Sequence, residues 1–384
     1  MSKRIERSLV VEGSTLVSEA DWNRELEAKH EKLVEWMKAQ HLAGVLLKRN
    51  ENIAWLTGGA VEARVLIPCE TAVASLLVTA TGRRYYLTTE NEAPRLADEE
   101  FAGLDFEPVS FPWHTDETAA AAAKLAGGPV GTDTPGPGLT PVNLYPLRAS
   151  LEPGEIARYR WLGQETASST VEALMLVEPG LSELDMEAVT AANLLRRAIQ
   201  PSVHLFAVDE RIMKYKHAVP RGARMKNYAM LNLCARRWGL TISITRFVHF
   251  GRVPDELAER FRASAQVNAA LLDTTREGAT SAKLFEAAKA TYAAAGFPGE
   301  EKFHHQGGPT GYWEREWLAT PHGTETVVNR QAFAWNPSIR GGKVEDTVLL
   351  SDGKIEWLTE TPELPAIEVR MNGTIYPAAD VLRK

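Results

Sequence analysis

The stretch 230-MLNLCARRWGLTISITRFVHFG-251, Met230 to Gly251, reads as a buried strand, a turn and a second strand. It has the shape of a metal-binding hairpin, yet it contains no aspartate or glutamate where two acids would be expected. What surrounds it decides whether a metal site has been lost and what stands in its place.

Upstream, the segment 152–198 reads as two helices separated by a Pro179-Gly180 turn. Downstream, 253–298 repeats that plan, with a long helix, a turn at Gly278, a Ser/Thr cap and a second helix. Strand-rich segments follow each pair. This layout fits a duplicated α/β half folded against its copy, or a coincidence between two common helix-turn-helix patterns. Nearer the amino terminus, 22-WNRELEAKHEKLVEWMKAQ-40 puts Leu26, Leu33 and Met37 on one helical face, and AGVLLKR, TAVASLLVTA and RRYYLTTE follow as strands. The Gly- and Pro-dense stretch 127–147 reads as a connection between domains carrying one short strand.

Length and composition bound the function. The 384 residues fit two domains, and 44% hydrophobic with 24% charged residues describes a globular chain able to bury a core. A net charge of -7 and a pI near 5.8 give no support to nucleic-acid binding, so small molecules, short peptides or proteins are the expected partners. No apolar run reaches the ~18 residues of a membrane span. The amino terminus has early positive charges without an apolar core, so no secretory signal and a cytoplasmic location are expected. Cys69 and Cys234 lie in strand-like apolar runs and are expected to be buried free thiols.

The chemistry-bearing segments are 216-KHAVP-220, the opening hairpin, 303-FHHQGGPTGYWEREW-317, 332-AFAWNPSIRGG-342 and 343-KVEDTVLLSDGKIEWLT-359. In this order, together with 52-NIAWLTGG-59 and 155-EIARYRWLGQETASSTVEALM-175, they resemble the creatinase/aminopeptidase P/prolidase family over nearly the whole chain. The resemblance implies an α/β (α+β) chain with a creatinase-like amino-terminal domain over residues 1–150 and a pita-bread domain over 151–384. It also implies a homodimer in which the amino-terminal domain of one chain caps the other's site.

Peptidases of this family hold two divalent metals with two Asp, one His and two Glu, whose carboxylates balance the metal charge. Carried over position by position, the first Asp falls on Asn232 and the second, in the family's SDxTR, on Ser243 of ISITR. The histidine of GHGxG falls on Gly308, the glutamate of EPG on Asn336, and the last glutamate is kept as Glu345. Flanking residues match without gaps, which favours loss of the ligands over a set relocated to His304, His305, Glu314 or Glu316. No metal and no other cofactor is therefore expected.

Creatinase offers a precedent within the family: it works without metal, uses a histidine as acid and base to hydrolyse a C-N bond, and carries Asn at the position of Asn232. The family's HxxP histidine matches His217, which can exchange a proton near neutral pH or be a remnant of descent. Creatinase has glutamates where this chain has Thr245 and Asn336, so a guanidinium substrate would lose its partners here. Arg246, Arg64 and Arg315 offer carboxylate recognition instead, or serve as structural or surface arginines. His304 matches a family position near the substrate. Tyr312, Trp313 and Trp317 wall a pocket or belong to the core, and HQGGPTG lacks the ending of a phosphate loop.

Three functions follow as expectations. The first is a metal-independent hydrolase of a small polar C-N or amide compound, with His217 and Glu345 as catalytic residues and Asn232, Ser243, Thr245, Arg246, His304, Asn336, Arg64 and Arg315 facing substrate. The second is an inactive binding or scaffold module. The third, an ordinary Xaa-Pro peptidase, is opposed by the missing ligands.

Overall fold

The computed structural model describes residues 10–11 and 14–384. Two compact units emerge, Met1–Arg158 and Tyr159–Lys384. Their division falls inside the long helix Pro153–Leu176.

In the first unit, the helix Glu19–Ala39 starts at Ser18, whose hydroxyl accepts the Asp21 N–H at 3.1 Å. It buries Trp22, Leu26, Leu33 and Met37, the apolar stripe visible in the sequence. The six-stranded sheet has the order Glu107–Phe111, Arg84–Thr89, Thr71–Thr79, Gly44–Arg49, Val130–Thr132, Thr140–Pro141. Leu46, Leu77, Tyr85, Leu87 and Phe111 pack on one face against Ala122 of the helix Thr118–Ala126. A buried charge network ties helix to helix: Lys29 Nζ meets Glu25 at 2.6 Å and Glu155 at 2.8 Å, and Arg158 meets Glu25 at 2.6 Å. Cys69 is half-buried in the irregular segment ahead of Thr71–Thr79, not inside the strand as its apolar surroundings suggest.

The second unit repeats one plan twice. The helices Pro153–Leu176 and Glu183–Arg196 lead into the strands Gln200–Val208, Tyr228–Arg237 and Leu240–His249. The helices Asp255–Thr274 and Ser281–Ala294 lead into Gly307–Thr310, Gln331–Trp335 and Asp346–Ser351. Each set forms a four-stranded sheet, completed by Leu382–Arg383 in the first and Lys354–Trp357 in the second. The hairpin pairs Asn232 with Thr245 and Cys234 with Ser243, so all four point to one face. Its two-residue turn has φ 55° at Trp238 and φ 78° at Gly239, the left-handed pair that a tight antiparallel hairpin demands. A tryptophan is costly there. Its ring is held edge-on to Trp161 at 5.3 Å, with the Arg237 guanidinium over both rings at 4.6 and 4.4 Å.

The two sheets meet along the hairpin. Thr245 N–H donates to Glu345 O at 3.1 Å, and Ser243 and Thr347 exchange two hydrogen bonds at 2.9 Å. That junction places the site.

One prediction concerns the first unit. His30 is only 4% exposed, and burial, followed by Arg84 and Lys29, pushes its imidazole down to about 3 from an ordinary 6.5. The unfolded chain thus takes up the proton first, so stability is full above about pH 6.5 and falls as pH drops toward about 3. His30→Gln should flatten the fall in urea-unfolding free energy across that window; an unchanged slope would assign the effect elsewhere.

Candidate active site

Glu345 is the hub of the hairpin face. It is 2% exposed, and both its oxygens are taken. Oε2 accepts from Asn232 Nδ2 at 2.6 Å, Thr245 Oγ1 at 2.6 Å and Lys343 Nζ at 2.8 Å, while Oε1 accepts from Arg315 at 2.9 Å. Burial alone would raise the carboxyl, but Lys343 and Arg315 outweigh it and hold Glu345 at about 2. A carboxylate held in this way is suited to anchoring its neighbours as an anion. Arg315 extends the network, donating to Ser243 Oγ at 2.9 Å, and Ser243 in turn contacts Cys234 Sγ at 3.2 Å.

Beside the hub lie three histidines. His217 Nε2 and His304 Nε2 are 3.0 Å apart, sharing one proton, with the rings nearly perpendicular at 82°. The His305 ring stacks on His304 at 4.4 Å, and its Nδ1 accepts the Gly307 N–H at 3.2 Å. Burial is the main cause that holds all three below the ordinary value; Lys343 adds to it for His217 and His304, Arg315 for His305. His304 falls to about 2 and His305 to about 4. His217 is the exposed member of the group, so a neutral imidazole faces solvent.

The remaining expected residues separate. Asn232, Ser243 and Thr245 join the hub; Asn336 is buried, and its Oδ1 accepts from none of the described residues. Arg246 does not join them. Its guanidinium is spent on Asp346 at 2.6 Å, Thr361 at 3.0 Å and the carbonyls of Thr245 and Thr359 at 2.8 Å, beside a cleft of about 240 Å³ that Trp357 also lines. Arg64 belongs to the first unit and pairs with Glu62 at 2.6 Å. Tyr312 and Trp317 are core residues, the latter edge-on to Phe333.

Lys343 was not among the expected site residues, although a signal existed. Lys343 and Glu345 are two apart in an extended segment, and such residues share a face.

The chain matches the profile of metallopeptidase family M24 over residues 162–352 and that of the creatinase/prolidase N-terminal domain over residues 29–135. No curated protein matches it by sequence. Among solved structures it is similar to an Xaa-Pro dipeptidase from Bacillus anthracis, with TM-score 0.72 and 14% identity over 94% of this chain and 100% of that one. A prolidase from Pyrococcus horikoshii OT3 gives TM-score 0.69 and 16% identity over 87% and 98%. The N-terminal domain of FACT complex subunit SPT16 from chickpea, Cicer arietinum, gives 0.63 and 12% over 87% and 96%. At these identities the likeness carries the fold.

The two-metal centre of the family does not fit the residues present. Its sole matched carboxylate is already paired with an ammonium and a guanidinium. The histidine position is closed as well, since a Cβ on Gly308 would lie 2.0 Å from the Trp317 carbonyl oxygen. Asn232, Ser243 and Asn336 bring no charge to offset two dications. With both domain profiles matched and the prolidase architecture present throughout, this chain belongs to the creatinase/aminopeptidase P/prolidase family of pita-bread proteins.

Proposed function

We propose that the protein is a metal-independent hydrolase of a C-N or amide bond in a small substrate bearing an anionic group. One observation carries the reading: the His217–His304 contact at 3.0 Å adjoins a hub in which protein cations, Lys343 and Arg315, are paired with the one matched carboxylate. Two fixed positive charges against one carboxylate leave a surplus that favours a carboxylate-bearing substrate.

In this mechanism His217 is the base. Its lowered proton affinity leaves it unprotonated near neutrality, and His304 holds the ring in position through the shared proton. Water gives a proton to His217 as its oxygen bonds to the carbonyl carbon. The imidazolium then passes that proton to the leaving nitrogen as the C-N bond breaks, restoring the neutral ring. Glu345 anchors Lys343 and Arg315, which offset negative charge on substrate and on the tetrahedral oxygen. The reading includes a homodimer and a cytoplasmic location; no described helix is long and apolar enough to cross a membrane.

A binding module is the second reading, favoured by the closure at Gly308. A screen of small amides and N-acyl amino acids separates the two. Under the first reading, a turned-over compound loses about a hundredfold or more in kcat with His217→Ala, whereas unchanged turnover would remove His217 from the mechanism. Xaa-Pro peptides should stay uncleaved after addition of manganese, cobalt or zinc; metal-dependent cleavage would restore the ordinary peptidase assignment.

The anchor role has its own test. Glu345→Gln leaves Lys343 and Arg315 facing each other without their counter-ion and should cost about 3–5 kcal/mol in urea unfolding. Adding Lys343→Met should recover part of that loss, giving a strongly non-additive double-mutant cycle; additive effects would show that the hub is not a coupled unit.

A further inference from the structure

We infer that His217, His304 and His305 form a site for one zinc-class dication, and that its occupancy switches off proton exchange at His217. None of these three residues matches a position of the family's two-metal centre. Each ring presents a nitrogen, and the three lie within 4.8 Å of one another. Three imidazoles with an open fourth position are a recurrent zinc ligand set, with nitrogens about 2.0–2.1 Å from the metal. They therefore sit roughly 3.4 Å from one another, a spacing that small ring rotations reach from here.

The His217–His304 contact already resembles half of such a site. Two ring nitrogens face each other at 3.0 Å with a proton between them; a metal takes the place of that proton, which passes to Nδ1 of the ring that carried it, so that both neutral rings bind through an Nε2 lone pair. The stacked His305 ring supplies the third nitrogen. Binding also reorients His305 from its Gly307 hydrogen bond. These two lost bonds make the site exchangeable and not a permanent structural one. Since His217 is exposed, the fourth position opens to water.

Charge sets the affinity. The cations that face the cluster, Lys343 and Arg315, are both tied to Glu345, at 2.8 and 2.9 Å, so the dication meets one net positive charge. Removing Lys343 should consequently strengthen binding, an effect that an unrelated surface histidine would not share.

The test uses the full, untagged chain, stripped with chelator and titrated with Zn2+ against a chromophoric competitor. One Zn2+ per chain is expected, weakened about tenfold or more by His305→Ala and tightened about threefold or more by Lys343→Met. Substitution with Co2+ should give the visible bands of a four-coordinate imidazole centre, lost in His305→Ala, and circular dichroism confirms that each variant is folded. Absence of one-to-one binding, or equal binding in folded His305→Ala, overturns the site. The inhibition rests on the proposed hydrolase and is read separately, as Zn2+ suppressing turnover of a screened substrate. If no substrate is found, the binding result still decides the site; if turnover is found and bound Zn2+ leaves it unchanged, the switch is wrong while the hydrolase stands.

Discussion

A single carboxylate surrounded by four donors organises the second unit. Glu345 binds the hairpin through Asn232 and Thr245, the short strand Gly342–Lys343 through Lys343, and the segment 311–317 through Arg315. Its own carbonyl takes the Thr245 N–H, so the same residue joins the two sheets by backbone and by side chain. A buried anion is expensive unless its partners are close and well aligned. Here two cations and two neutral donors supply that balance, and the neighbouring loops must take up positions that bring them in.

The same arrangement separates architecture from chemistry. The family's fold gathers five ligand positions, and this chain keeps the gathering while changing what is gathered. The charges are paired without being balanced: where dications and carboxylates would neutralise one another, an ammonium and a guanidinium share one carboxylate and leave one net positive charge. An ammonium cannot act as a Lewis acid. On the proposed reading, proton exchange falls to the imidazoles beside the hub.

Much of this was legible in the sequence because strand geometry is simple. The hairpin, its acid-free face and the repeated helix pairs follow from periodicity and order. The assignment of Arg246 to the same pocket as Thr245 failed for the same reason: adjacent residues on a strand point to opposite faces, so the arginine lies with Asp346 and Thr359. Lys343 could have been found by counting two back from Glu345. The three-histidine cluster and the closure at Gly308 could not, because both depend on where distant chain segments run. Nor does local preference predict a tryptophan at φ 55°, whose ring packs against Trp161 and Arg237.

The closure at Gly308 also bears on history. With the Trp317 carbonyl oxygen where a Cβ would be, no side chain enters at 308 until the chain around 317 moves away. Restoring the other acids one by one would still leave the ligand set incomplete. The path between this protein and a two-metal relative thus runs through a backbone shift and not through point substitutions alone. Backbone crowding at one glycine works as a ratchet, and it leaves variation free to act on the histidines and cations that remain.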